Sequence, residues 1–510
     1  MRRNQIVGWL VAMTLGVATF GGWLAVPHAR GLDPVVVTVL WLNVVLILVA
    51  LGFEVGRRPY SLHLMHLISM FLFLGVASVL QYSRGILGVP GPIRSVQPQI
   101  LPAAAATTFW LVGYLAVYEI RLSLRRRSFA GFLSRPLTIP RIFLLSAIAI
   151  VGLAYLAAAG MLGATTRAAS GAAIEEFTSN TGGRLVSPLY IVTGNLARAL
   201  PPVALLAALL VLIRDPRSVS IAIFPFVAII GVGTLLVNNP FAATRMFLVG
   251  SLIAFATPFF LRRFKTGWLL VGCVLIGLAF LPALGADTTR LSLKLSDVLA
   301  DFRIGSPLEY LAANSDVDSL GMTALVQKYV DTHGHRWGMQ MLGALLFWLP
   351  RTFWHDKPIG TGAMATEALG FDFTNLAPPI TAEPLVDFGL IAVPIVGGIF
   401  AWILSRLDAT YWAPGREGIA KSYRIIDALY PFWLVCIVYH TRGDMFAAMT
   451  FNVSFSFWIL PLGLGVASRR ASGIGRVPEP RPPHVASGDA AAVTSTRRLV
   501  PAGEPDGAPR

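Results

Sequence analysis

The stretch from Leu342 to Gly389, LGALLFWLPRTFWHDKPIGTGAMATEALGFDFTNLAPPITAEPLVDFG, gathers Arg, Lys, Asp, Glu, His and Trp just before the chain re-enters an apolar run. Its setting is the reverse: 55% of the 510 residues are hydrophobic and only 13% are charged, against about a quarter charged in soluble domains. The flanks therefore read as membrane spans, and the quoted stretch reads as the polar element that they frame.

Working outward, apolar runs long enough for a bilayer core, about 17 to 25 residues each, fall near 6 to 26, 33 to 53, 60 to 81, 102 to 121, 141 to 163, 188 to 213, 219 to 237, 246 to 262, 267 to 285, 384 to 404, 425 to 440 and 445 to 467. The expectation is an all-α polytopic membrane protein of twelve spans. Arg2 and Arg3 precede a first run too long for a typical signal core, so that run reads as a span and not as a removed signal. The net charge of +15 would suit nucleic acid, but most of the cations stand just beyond the ends of apolar runs. Arg57/Arg58, Arg121 with Arg125 to Arg127, Arg214/Arg217, Arg262/Arg263/Lys265, Arg406/Arg416/Lys421/Arg424 and Arg469/Arg470 all fall on one side of twelve alternating crossings. The positive-inside rule makes that side cytoplasmic, with both termini on it. The two cysteines, Cys273 and Cys436, lie in apolar segments and read as packing thiols.

The organisation expected is spans over 1–285, a large extracytoplasmic loop over 286–383, further spans over 384–467 and a disordered tail over 468–510 rich in Pro, Arg, Ala, Gly and Ser. The large loop holds much of the acid in the chain. Residues 314 to 332 have helical spacing, with Asn314, Ser315 or Asp316 as the cap. Gly338 to Pro350 is too short to span and suits an interfacial or re-entrant helix.

Several cations stand apart from the cytoplasmic clusters: Arg198 inside the sixth run, Arg245 opening the eighth, Arg290 and Arg303 in the large loop, Arg351 and Lys357 at its centre, and Arg442 ending the eleventh run. A planar guanidinium at the rim of a cavity fits a phosphate or pyrophosphate, whereas pairing within the chain, such as Arg442 with Asp444, is the plainer alternative. In LPRTFWHDKP, Trp348, Phe353 and Trp354 supply interfacial aromatics beside the two cations. His63, His66, His333, His335 and His355 lack a cysteine or carboxylate at metal-ligand spacing, so no metal is expected. Asp372, Glu383 and Asp387 bracket the tenth run, and any of the three would serve as a general base; for Glu383 a dipole-matching helix start is the competing reading.

WLPRTFWHDKP followed by FTNLAPPITAEPLVDFGLIAV resembles the Wzy-type polysaccharide polymerases, the O-antigen and exopolysaccharide repeat-unit polymerases of the bacterial inner membrane. The matching positions are Pro350, Arg351, Trp354, Lys357, Pro358, Asn375, Glu383, Phe388 and Gly389, with Gly362 at an Arg-x10-Gly spacing and ATRMFLVGSL around Arg245 as a second stretch. The resemblance implies a GT-C-like helical fold. It also implies transfer of an undecaprenyl-diphosphate-linked glycan onto a lipid-linked repeat unit at the periplasmic face, without metal or other cofactor. Arg351 and Arg245 would contact the diphosphate, with Arg198, Lys357 and Arg290 behind them. Trp354 and Asn375 would contact the sugar, and Glu383 or Asp372 would position or deprotonate the acceptor hydroxyl. The partners implied are the lipid-linked oligosaccharide, membrane lipid and a chain-length regulator, with no nucleic acid. Related O-antigen ligases carry His-Asn where this chain has Thr374-Asn375, which favours the polymerase. A lipid-linked oligosaccharide flippase would line a path through both membrane halves with charge. A dolichyl-phosphate-sugar-type transferase would need an acidic pair where Asp33 stands alone.

Overall fold

A computed structural model of the chain describes residues 3–55, 57–58, 60–87, 96–123, 131–158, 188–214, 223–238, 250–257, 306–349, 351, 353–371, 376–412 and 423–463. Among these residues there is no strand beyond an isolated bridge between Pro136 and Arg424. The helices are α1 (Arg3–Ala25), α2 (Pro34–Glu54), α3 (Leu62–Arg84), α4 (Gln97–Ser123), α5 (Ile139–Ala158), α6 (Pro188–Arg214), α7 (Ile223–Val237), α8 (Pro307–Ala313), α9 (Ser319–His333), α10 (Met339–Leu345), α11 (Thr361–Ala368), α12 (Ala382–Phe388), α13 (Ala392–Tyr411), α14 (Ile425–Arg442) and α15 (Met445–Ser456). The protein is an all-α polytopic membrane protein. The described residues fall within one compact unit.

Among the described residues eight helices are long and apolar enough to cross a membrane, in α1 to α6, α13 and the α15 segment that continues to Gly463. The differences from the twelve expected runs have physical reasons. The run 384 to 404 is broken at Gly389, whose φ of +78 lies in the left-handed region that favours glycine, so α12 ends there and the span starts at Ala392. The seventh run forms α7, 15 residues long, or about 22 Å at 1.5 Å per residue, short of a ~30 Å hydrocarbon core. The eleventh forms α14, which carries Asp427, His440 and Arg442 and is buried along nearly its whole length. It is a core helix packed against α3 and α15. The eighth run is described only over 250–257; the ninth, and the tail, lie outside the described residues.

Helix α3 begins at Ser61, whose hydroxyl accepts from the Leu64 N–H. Its first N–H, that of Leu62, donates to Asp408 of α13 at 3.0 Å, so a carboxylate from a distant helix caps α3. Tyr430, Tyr118 and Arg58 converge on the same carboxylate, the last at 3.6 Å. Mid-way, Met70 to Val76 is π-helical. Helix α4 lies directly on α13: a Cβ at Gly113 would sit 2.0 Å from the Pro394 carbonyl oxygen, the small-residue approach by which helices pack where no aqueous driving force acts.

The described part of the large loop packs into this bundle. Helix α9 is buried from Ser319 to Val326 and lies against α4. Its cap is Asp318, which accepts from the Gly321 N–H at 2.7 Å, not one of the three residues expected; Asn314 instead caps the short turn Ser315–Val317. Arg442 donates to the Asp316 carbonyl and faces its carboxylate at 3.5 Å. Its partner is therefore Asp316 and not Asp444, and the contact ties the end of α14 to the loop.

Candidate functional site

The quoted stretch folds as a sequence of short turns and helices. Helix α10 carries exposed Leu342 and Leu345 and leads to exposed Trp348. The chain then turns, and Lys357 points back into the turn. It is 3% exposed, donates to the carbonyls of Phe347 and Leu349, and lies 5.2 Å from the centre of the Phe446 ring. Burial first, then the Arg351 charge, lower its pKa from the usual lysine value. The ammonium is thus committed to closing the loop, whereas the sequence reading had it as a ligand cation.

Arg351 is exposed and donates one guanidinium nitrogen to the Lys357 carbonyl at 2.7 Å. Trp354 is half-buried in the same loop, and its carbonyl accepts from the Lys357 N–H at 3.1 Å. Phe353, 80% exposed, extends the aromatic edge to which Trp348 belongs.

Beyond Pro358 the chain reads Gly360-Thr361-Gly362 and opens α11. A Cβ at Gly362 would lie 2.0 Å from the Leu376 carbonyl oxygen, and one at Gly360 would lie 2.7 Å from an Asp444 carboxylate oxygen. Gly360 lets Asp444 settle onto the start of α11, and Gly362 lets the Leu376 carbonyl approach it. Asp444 accepts from the Gly362 N–H at 3.2 Å and from the Phe446 N–H at 2.8 Å, so it caps two helices at once. Glu383, on α12, takes the remaining space: it accepts from the Thr361 hydroxyl at 2.6 Å and from the Met445 N–H at 3.1 Å. Both acids are buried, at 2% exposure for Glu383 and 7% for Asp444.

Two carboxyls in one dry site resist sharing negative charge. Burial, followed by the charge of Asp444, pushes Glu383 up to about 8. Burial also raises Asp444, opposed by the backbone N–H groups that it accepts from. The arrangement favours a proton on Glu383 at neutral pH, while the N–H groups at the starts of α11 and α15 oppose the rise at Asp444.

Asp387, the third candidate base, has another task. Its carboxylate accepts from the Gln340 and Met341 N–H groups at 3.1 and 2.9 Å and so caps α10. Burial nonetheless raises its pKa against those hydrogen bonds.

Of the site residues drawn from sequence, Arg351, Trp354, Lys357 and Glu383 come together in this one region. Arg198 is half-buried on α6, which packs against α15, the helix that Asp444 caps. Arg245, Arg290, Asp372 and Asn375 lie outside the described residues. Asp444 and Thr361 were missed as site residues. The available signal was local: an Asp directly before an apolar helix, and a threonine between two glycines.

The histidines on α3 are accounted for by partners. The Trp110 indole N–H donates to His66 Nε2 at 3.1 Å, so the ring hydrogen sits on Nδ1, which donates to the Thr441 hydroxyl at 2.9 Å. His63 bonds Tyr114 at 2.8 Å and stacks on Tyr118. Among the described residues no three His, Cys, Asp or Glu side chains are grouped as a metal would need.

No family model, curated protein or solved structure matches this chain. The site therefore has to be read from its own geometry.

Proposed function

We propose that this chain is a GT-C-like polysaccharide polymerase of the bacterial inner membrane. It transfers an undecaprenyl-diphosphate-linked glycan onto a lipid-linked repeat unit at the periplasmic face. The observation that carries this reading is the buried Glu383–Asp444 pair across Thr361, set in the same folded stretch as the exposed Arg351.

In the reaction, the acceptor hydroxyl oxygen forms a bond to the anomeric carbon of the donor glycan. The bond from that carbon to the lipid diphosphate breaks, and the hydroxyl proton leaves. Arg351 and Arg245 meet the charge that develops on the diphosphate, a role that fixed guanidinium groups perform without metal. Glu383, whose pKa of about 8 leaves a minor carboxylate fraction at neutral pH, receives the proton in that ionised form. Lys357 acts by shaping the loop that carries Arg351, and Trp354 and Asn375 orient sugar.

The test is lipid-linked glycan analysis of a deletion strain complemented with wild type or Arg351→Ala. Single repeat units on undecaprenyl diphosphate should accumulate on the periplasmic side without the protein and with the variant. Long polymer in the deletion strain would overturn the reading.

A specific observation favours the flippase as a second reading. Glu54, Arg58 and Asp408 cluster at the ends of α2 and α13, beside the buried His63 and His66. Charge is thus placed well away from the Glu383 site, as a path through both membrane halves would require. Substrate trapped on the cytoplasmic leaflet in the deletion strain would decide for it.

A further inference from the structure

The loop from His335 to Gly338 has no role in the site above, yet three features meet in it. Trp337 has φ +53, in the left-handed region, alone among the described non-glycine residues. A bulky residue there is strained and persists only when its surroundings impose it. Here they do: the Arg336 N–H donates to the Val386 carbonyl at 3.0 Å and the Trp337 N–H to the Asp387 carbonyl at 2.9 Å. The result is an indole 76% exposed.

Beside that indole stands the His335 ring, 6.0 Å away and edge-on. His335 Nδ1 and Arg336 Nε are both buried nitrogen atoms without a hydrogen-bond partner. The acids around them are already engaged. Asp387, which feels the Arg336 charge, accepts from Gln340 and Met341; Asp331 accepts from Gln99 and Gln327.

The loop also has a defined depth. His335 packs on Gly389 and Gly338 packs on Phe388, immediately before the α13 span. Phe388 is 46% exposed and Ile391 is 84% exposed. An exposed indole and apolar side chains at the start of a span belong at the headgroup boundary, where tryptophan is enriched.

We propose that His335, Arg336 and Trp337 form a clamp for a phosphate-bearing lipid headgroup at the membrane boundary where α13 begins. The outer guanidinium nitrogens of Arg336 meet phosphate oxygens, the His335 ring packs behind them, and the indole fills the interface beside them. The clamp does not depend on the polymerase reading, because it shares no residue with that site.

The test is native mass spectrometry of the full chain, purified in neutral detergent and titrated with phosphatidylglycerol. Wild type should hold one lipid tightly, and Arg336→Gln and Trp337→Gly should each retain it about tenfold more weakly. Trp337→Gly also relieves the strained backbone, so its thermal midpoint in lipid-free detergent should not fall, which separates lost binding from lost folding. Equal retention by wild type and both variants would overturn the proposal. Displacement of the lipid by millimolar inorganic phosphate would overturn it too, by assigning the site to a free anion.

Discussion

Thr361 donates its hydroxyl hydrogen to Glu383 over 2.6 Å, and this bond joins the start of α11 to α12 directly beside the carboxylate of Asp444. The bond favours the Glu383 carboxylate, but burial and the neighbouring Asp444 outweigh it and keep the proton on Glu383, with measurable outcomes.

The first concerns pH and stability. Glu383 is raised from 4.5 to about 8 in the folded protein, so between these values the folded state keeps a proton that the unfolded chain has lost. Stability from this group is full below about pH 4.5 and falls as pH rises towards 8. Glu383→Gln removes the titration. Its thermal midpoint relative to wild type should therefore climb between pH 5 and pH 8.5, as read by thermal unfolding in detergent. A constant difference would mean that Glu383 does not hold the proton.

The second concerns Asp444. Asp444→Asn keeps an accepting oxygen for one of the two helix starts, which use Oδ2 and Oδ1 separately, and removes the negative charge beside Glu383. The pH range over which the wild-type midpoint declines should move to lower pH. Asp444→Ala also loses both caps, and should cost about 1 to 4 kcal/mol, taking ~0.5–2 for each cap. Denaturation of the two variants across a pH series reads both effects.

Arg351 and Lys357 should separate by phenotype. Arg351 is exposed, so Arg351→Ala should accumulate in the membrane at wild-type level and make no long polymer. Lys357→Met leaves the Phe347 and Leu349 carbonyls without their donor. It should destabilise by about 1 to 3 kcal/mol, visible as reduced membrane protein before any glycan assay.

Gly362→Ala places a methyl group 2.0 Å from a backbone oxygen. Overpacking of this kind costs about 1 to 3 kcal/mol or more. Gly21→Ala, inside α1 with nothing within 4 Å, is the control and should keep or slightly raise the thermal midpoint, because alanine is the better helix former.

The spans were legible because apolar length alone reports them: α1 to α6, α13 and α15 all coincide with runs visible in the sequence. Helix α14 was harder to read. Its polar residues are satisfied by Asp316, Asn452 and the Arg424 backbone, so it is a buried core helix whose composition hides its position. The polar stretch stood out by its composition, and the resemblance selected Glu383. Asp444 was not recognised, because its partners Gly362 and Glu383 lie 82 and 61 positions away, and nothing local reports a fold that brings them together. Lys357 was misread for a related reason. A lysine in a loop carries no mark in the sequence of whether it turns outward to a ligand or inward to carbonyls.

The contact of Gly113 with the Pro394 carbonyl has a mechanical consequence. Two backbones that touch cannot slide past each other without collision, so α4 and α13 move as a single post. Any opening of the site must then displace the short helices α10 to α12 against that post. The break at Gly389 lies between the two parts, at the joint about which such a displacement would turn.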